Sequence, residues 1–211
     1  MLGILGGTFD PVHHGHLRIA MEVCQQLQLE QVRLLPLHTP PHRQAPQATP
    51  GHRLQMLHAA VAGVPELAVD DCEVRRGGIS YTIETVERLR NGGTGTPVCL
   101  IMGADAFASL HTWRQWQRLP EFVHIVIVDR TGTAPPGDPV VAELLASRLV
   151  DDSRELASRP AGLVTRVQAP LLDISSSYVR DCVRQGKNIR YLVPGDVITY
   201  INAHALYQTA G

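Results

Sequence analysis

Short apolar runs alternate along the chain with stretches whose apolar residues recur every three to four positions. Residues 1–5 read as a buried strand, and Leu17, Ala20, Met21, Cys24 and Leu27 follow at helical spacing. Further strands are predicted over 31–37, 67–74, 98–102 and 122–128, with a weaker one over 164–172 broken by Pro170. Helices are predicted over 52–62, over 81–90 with Ile83, Val86 and Leu89 inward, and near 176–185 and 196–205. Segment 39–50 contains four prolines and reads as a loop, as does 131–139. Strand–helix alternation of this kind predicts an α/β protein with a mostly parallel sheet covered by helices on both faces. Ligands in such sheets sit at the carboxyl ends of the strands, at the topological switch point.

Residues Gly6-Gly7-Thr8-Phe9-Asp10-Pro11-Val12-His13-His14-Gly15-His16-Leu17 stand at that position, after the first strand. They predict a glycine turn and a helix opening. Unpaired N–H groups and the helix dipole favour anions there, and two glycines let a phosphate approach the main chain. His13 and His16, three apart, share one face of the first turn, and both can donate to phosphate oxygens. Asp10 reads as a turn former. A tight turn with merely solvated histidines is the competing reading. A zinc pair is another, without a third ligand at familiar spacing. The segment is neither a P-loop nor a Gly-x-Gly-x-x-Gly turn.

Composition narrows the classes. With 211 residues, 44% of them hydrophobic, the chain can bury one sizeable core. A formal net charge of −1 argues against a nucleic-acid or membrane-surface partner. Cys24, Cys72, Cys99 and Cys182 are widely spaced with no Cys-x-x-Cys, which suggests reduced, buried thiols. No apolar run has transmembrane length and the first residues enter a strand directly, so a cytoplasmic location is expected.

A second motif, Ile174-Ser175-Ser176-Ser177-Tyr178-Val179-Arg180, places serines at a helix start. Val179, Cys182 and Val183 form the buried face, and Arg180 can present its fork to phosphate. A serine cap with a solvated arginine is the plainer alternative. Together the two motifs resemble the Gly-x-Phe-Asp-Pro-x-His-x-Gly-His and Ile-Ser-Ser-Thr-x-x-Arg signatures of the nucleotidylyltransferase superfamily, with Ser177 in place of threonine. Four further stretches resemble the nicotinate mononucleotide adenylyltransferases: Pro40-Pro41-His42-Arg43, Ile79-Ser80-Tyr81-Thr82 with Glu84-Thr85, Leu100-Ile101-Met102-Gly103-Ala104-Asp105 with Leu110 and Trp113, and Ile189-Arg190-Tyr191-Leu192-Val193-Pro194. Asp129-Arg130-Thr131-Gly132 departs from the Arg-Pro-Gly usual there.

The resemblance runs from about residue 3 to residue 201. It implies a Rossmann-like doubly wound sheet in a single domain, 1–211, with the helical part from about 174 completing the ATP site. It also implies adenylyl transfer from ATP to nicotinate mononucleotide, with Mg²⁺ carried on the ATP phosphates. His13, His16 and Arg180 are then the catalytic residues. Gly6, Gly7, Thr8, Phe9, Gly103, Asp105, Ile174, Ser175 and Ser176 would bind ATP, and Arg43, Tyr81, Thr82 and Trp113 the mononucleotide. Each has a plainer role open to it: Trp113 as core, Tyr81 and Thr82 as a helix start, Asp105 as a cap, Arg43 as solvated loop. Tyr191 and Pro194 read as structural. The rival functions are another adenylyltransferase, with nicotinamide mononucleotide or phosphopantetheine as acceptor, and a non-catalytic nucleotide-binding module. Nothing in the sequence specifies an oligomeric state.

Overall fold

The computed structural model describes residues 1–41, 45–92, 95–129, 138–170 and 172–208. Six parallel strands form one sheet in the order β3-β2-β1-β4-β5-β6. They are β1 (Leu2–Gly7), β2 (Gln31–Pro36), β3 (Leu67–Val69), β4 (Val98–Gly103), β5 (His124–Asp129) and β6 (Val164–Gln168). The order reverses between β1 and β4, so the switch point lies where the sequence places the first motif.

Period-two alternation divides the central strands between two cores. Cys99, Ile101, Val126 and Val128 face one core, which α1 (His14–Gln26), α2 (Pro50–Val61), α9 (Ser176–Arg184) and α10 (Gly195–Ala203) cover. Val98, Leu100, Met102, Ile125 and Ile127 face the other. There they meet residues of α3 (Cys72–Arg76), α4 (Thr82–Asn91), α5 (Ala104–Ala108), α6 (Leu119–Phe122) and α7 (Pro139–Arg148). Among the described residues no helix is long and apolar enough to cross a membrane.

Several local expectations change. Gly6 and Gly7 do not form a turn: they continue β1, paired with Leu35 and Pro36. The left-handed position belongs to Phe9, with φ 50°. The strand expected over 67–74 ends at Val69, because the Asp70 carboxylate accepts from the Cys72 amide and starts α3. The strand expected over 164–172 ends at Gln168, before Pro170. Pro139 is not loop but the first residue of α7, capped by Asp138, which accepts from the Val140 and Val141 amides. Short α6 and α8 (Glu155–Ser158) were not expected.

Candidate active site

A cleft of about 1300 Å³ opens at the carboxyl ends of β1 and β4. Three walls meet in it: the loop from β1 to α1, the start of α4 with the segment around Trp113, and the start of α9.

The first wall is built by α1. His13 is its N-cap, in an extended conformation, and is 6% exposed. The His13 backbone N–H donates to Nδ1 of His16 at 3.3 Å, and the two rings stack with centroids 3.6 Å apart. Phe9, fully buried, meets the His16 ring edge-on at 5.0 Å. Burial drives both imidazoles towards the neutral form. It lowers His13 to about 4, with a smaller contribution from His14, and lowers His16 well below its ordinary value, helped by His13. A neutral His16 that accepts at Nδ1 carries its hydrogen on Nε2, so it offers one donor. His13 Nδ1 is buried without a partner.

The glycines have separate uses. A Cβ on Gly7 would sit 2.9 Å from the Phe9 ring, and one on Gly15 would sit 3.0 Å from His13 Nδ1. Gly7 therefore makes room for Phe9, and Gly15 for His13. Gly6 and Gly103 line the cleft, and a Cβ on either would meet no protein atom within 4 Å. Their bareness leaves cleft space open rather than relieving a clash inside the fold.

The second motif docks on the first. Ser175 caps α9 by accepting from the Tyr178 amide. Ser176 Oγ donates to the Pro11 carbonyl at 2.9 Å. Arg180 does not extend freely into the cleft. Its Nη1 donates to the Asp10 carbonyl at 2.6 Å and its Nη2 to Ser177 Oγ at 3.3 Å, while Nε is buried without a partner. It still lines the cleft, in a position that Asp10 sets.

On the opposite wall Tyr81 is the N-cap of α4 and Thr82 its first residue, so first-turn amides stand at the cleft. Trp113 is half-buried, packed against the second core while also lining the cleft. Arg114 lies over the Tyr81 ring at 4.6 Å and donates to Glu84 at 3.2 Å. Thr8, Phe9, Ile174, Ser175 and Ser176 line the cleft together with His13, His16 and Arg180. Asp105, in the first turn of α5, is not part of the lining. Arg43, with His42, lies outside the described residues, as does Arg130.

Sequence reasoning passed over two buried groups, Arg53 and Glu73, and gave a third, Asp10, too small a role. Asp10 is more than a turn former: its carboxylate accepts from the Gln47 and Ala48 amides and from the Tyr207 hydroxyl, at 2.8, 3.0 and 2.8 Å. Arg53, 0% exposed, donates to the carbonyls of Thr8, His38 and Ala48. Glu73, which lines the cleft with Thr85, accepts from the Thr85 hydroxyl. One signal was present, an arginine sharing the apolar face of Met56, Leu57 and Val61. All four cysteines are free and buried, as expected, and burial pushes the Cys99 thiol up to about 12, so it is no nucleophile.

The cytidylyltransferase-like family profile matches residues 4–182. A Marinobacter nauticus protein named "Probable nicotinate-nucleotide adenylyltransferase" is 48% identical over 205 residues, 97% of this chain and 95% of its own. A Methylococcus capsulatus protein of the same name is 42% identical over 98% of this chain and 99% of its own. The structure of Plasmodium falciparum nicotinic acid mononucleotide adenylyltransferase complexed with NaAD superposes with a TM-score of 0.72. At 15% identity it covers 98% of this chain and 96% of its own, which establishes the shared fold.

Proposed function

The chain belongs to the nicotinate-nucleotide adenylyltransferase family, and from that premise we propose how its cleft transfers the adenylyl group of ATP to nicotinate mononucleotide. The products are nicotinate adenine dinucleotide and pyrophosphate, a step of NAD biosynthesis. The observation that carries this reading is the hydrogen-bonded union of two phosphate-type motifs, Ser176 to Pro11 and Arg180 to Asp10, beside the neutral His13–His16 pair.

A mononucleotide phosphate oxygen attacks the α-phosphorus of ATP. The bond from that phosphorus to the bridging oxygen breaks, and pyrophosphate leaves with the electron pair. A phosphomonoester has its second pKa near ~6, so the nucleophile is already ionised at neutral pH and no general base is required. The protein's task is alignment of two polyanions and stabilisation of charge on the leaving group. The amides opening α1, His16 Nε2–H, the serine hydroxyls and Arg180 are donors of the right kind. His16 acts as a neutral donor, since burial opposes its protonation.

The family's use of a divalent cation fits this donor set in one way. The described residues include no group of three or more His, Cys, Asp or Glu able to hold an ion, and Asp10 is occupied by two amides and a phenol. Such a cation, Mg²⁺ in this proposal, would be bound through substrate phosphate oxygens rather than by a protein cage, and would supply positive charge to offset that of the leaving group. Thr82 and Tyr81 offer main-chain donors to the nicotinate carboxylate, and Trp113 offers a face to the pyridine ring. The whole chain acts as one domain, with the part from about 174 completing the ATP site. A cytoplasmic location suits four unpaired thiols and a nucleotide substrate.

Pyrophosphate release from ATP with nicotinate mononucleotide, nicotinamide mononucleotide and phosphopantetheine in turn tests the reading. Turnover is expected with the first. Turnover with phosphopantetheine alone would replace the acceptor, and no release with any acceptor would leave a binding module.

A further inference from the structure

We infer that Tyr207, which touches no substrate, is a positioning residue for adenylyl transfer and acts through Asp10. This rests on the function proposed above.

Asp10 is 4% exposed and sits three residues before His13. Its Oδ1 accepts from the Ala48 amide at 3.0 Å and from Tyr207 Oη at 2.8 Å. Its Oδ2 accepts from the Gln47 amide at 2.8 Å and lies 3.7 Å from Arg180 Nη1. The carbonyl of the same residue receives Arg180. Asp10 therefore joins the β1–α1 loop, the segment bearing Gln47 that lines the cleft, and the start of α9. Tyr207 adds a fourth segment, the chain beyond α10.

Tyr207 is itself 8% exposed and stands outside the cleft lining. The chain turns back to bring it there, with the Leu206 amide donating to the Ile201 carbonyl at 3.0 Å. Burial, with Asp10 beside it, pushes the phenol well above its ordinary value, so it remains an O–H donor. Arg53 holds the carbonyls of Thr8 and Ala48, in two of the segments that Asp10 joins, so the node is tied from both sides. Without the phenol hydroxyl, Oδ1 keeps a single amide partner, and the charge that orders Gln47, Ala48 and Arg180 is less firmly held.

The test compares Tyr207→Phe, Asp10→Asn and the double variant as full-length proteins, with kcat and KM for ATP and nicotinate mononucleotide and a thermal melt. Loss of one hydrogen bond to a charged group predicts a kcat about tenfold lower in Tyr207→Phe. Because residues acting through one another are not additive, the double variant should be no slower than Asp10→Asn. Wild-type kcat in Tyr207→Phe overturns the inference, as does a loss confined to KM or a double variant slowed by the product of the single effects. An unfolded Tyr207→Phe at assay temperature overturns it too, since Tyr207 would then hold the fold rather than the site. The wild-type rate with ATP and nicotinate mononucleotide separately tests the underlying function.

Discussion

The His13 amide hydrogen-bonds to the ring of His16 at 3.3 Å, and the two stacked imidazoles are both neutral by burial. The helix start thus presents His16 Nε2–H to the cleft as a fixed, uncharged donor. A charged pair would repel itself; a neutral pair can stack and still meet phosphate.

His16→Ala is therefore expected to lower kcat by ~10²–10³ with a much smaller change in KM, the usual cost of losing one preorganised donor. Steady-state kinetics on the folded variant measures it. An unchanged kcat would make His16 structural.

Neutral burial of these imidazoles also sets a pH dependence of stability. His13 titrates near 4 in the folded protein and near its ordinary value of 6.5 when unfolded. His16 and His124 shift in the same direction, both chiefly through burial. Between those limits the unfolded chain binds protons that the native state refuses. This stability is complete above the unfolded value and is lost as pH falls from 6.5 towards 4. Thermal melts across that window should show Tm falling with pH, and a Tm that rises on acidification would contradict the neutral assignment.

Gly15→Ala separates helix propensity from site geometry. Alanine in a helix ordinarily gains roughly 0.5–1 kcal/mol over glycine. Here its Cβ would meet His13 Nδ1 at 3.0 Å and the Leu172 carbonyl at 3.3 Å. Displacing His13 should cost at least roughly tenfold in kcat, since small misplacements in a site are expensive. A higher Tm with unaltered kcat would show that the contact relaxes freely.

Trp113→Ala should raise KM for the pyridine nucleotide and leave the ATP KM nearly unchanged. An aromatic pair is worth about 0.5–1.5 kcal/mol beyond area burial, a several-fold to roughly tenfold effect. Trp113 also packs against the second core, so a modest fall in Tm accompanies it. A large Tm loss with KM preserved would assign Trp113 to the core alone.

The sheet and the placing of the main motifs were readable because buried parallel strands are continuous apolar runs and α1, α4 and α9 repeat at helical spacing. Stretches of four or five residues, such as α6 and α8, carry too little periodicity to register. Gly6 and Gly7 look like a turn but extend β1, because what frees them is the cleft and the Phe9 ring rather than their own dihedrals. The node of Asp10, Arg53 and Tyr207 is built from long-range bonds to backbone groups and one carboxylate, which leave no pattern in sequence beyond the place of Arg53 on the apolar face of α2. Arg180 was expected at phosphate and stands at the cleft, but its tether to the Asp10 carbonyl depended on how two distant segments dock.

The central claim concerns acceptor choice, and the ratio of kcat/KM for nicotinate and nicotinamide mononucleotides tests it most directly. The main-chain donors at Tyr81 and Thr82 suit a carboxylate, whereas an amide would turn its NH₂ towards them and leave donors unpaired. That mismatch costs about 1–3 kcal/mol, so the acid should be favoured on the order of tenfold to a hundredfold. Equal values, or a preference for the amide, would contradict the account.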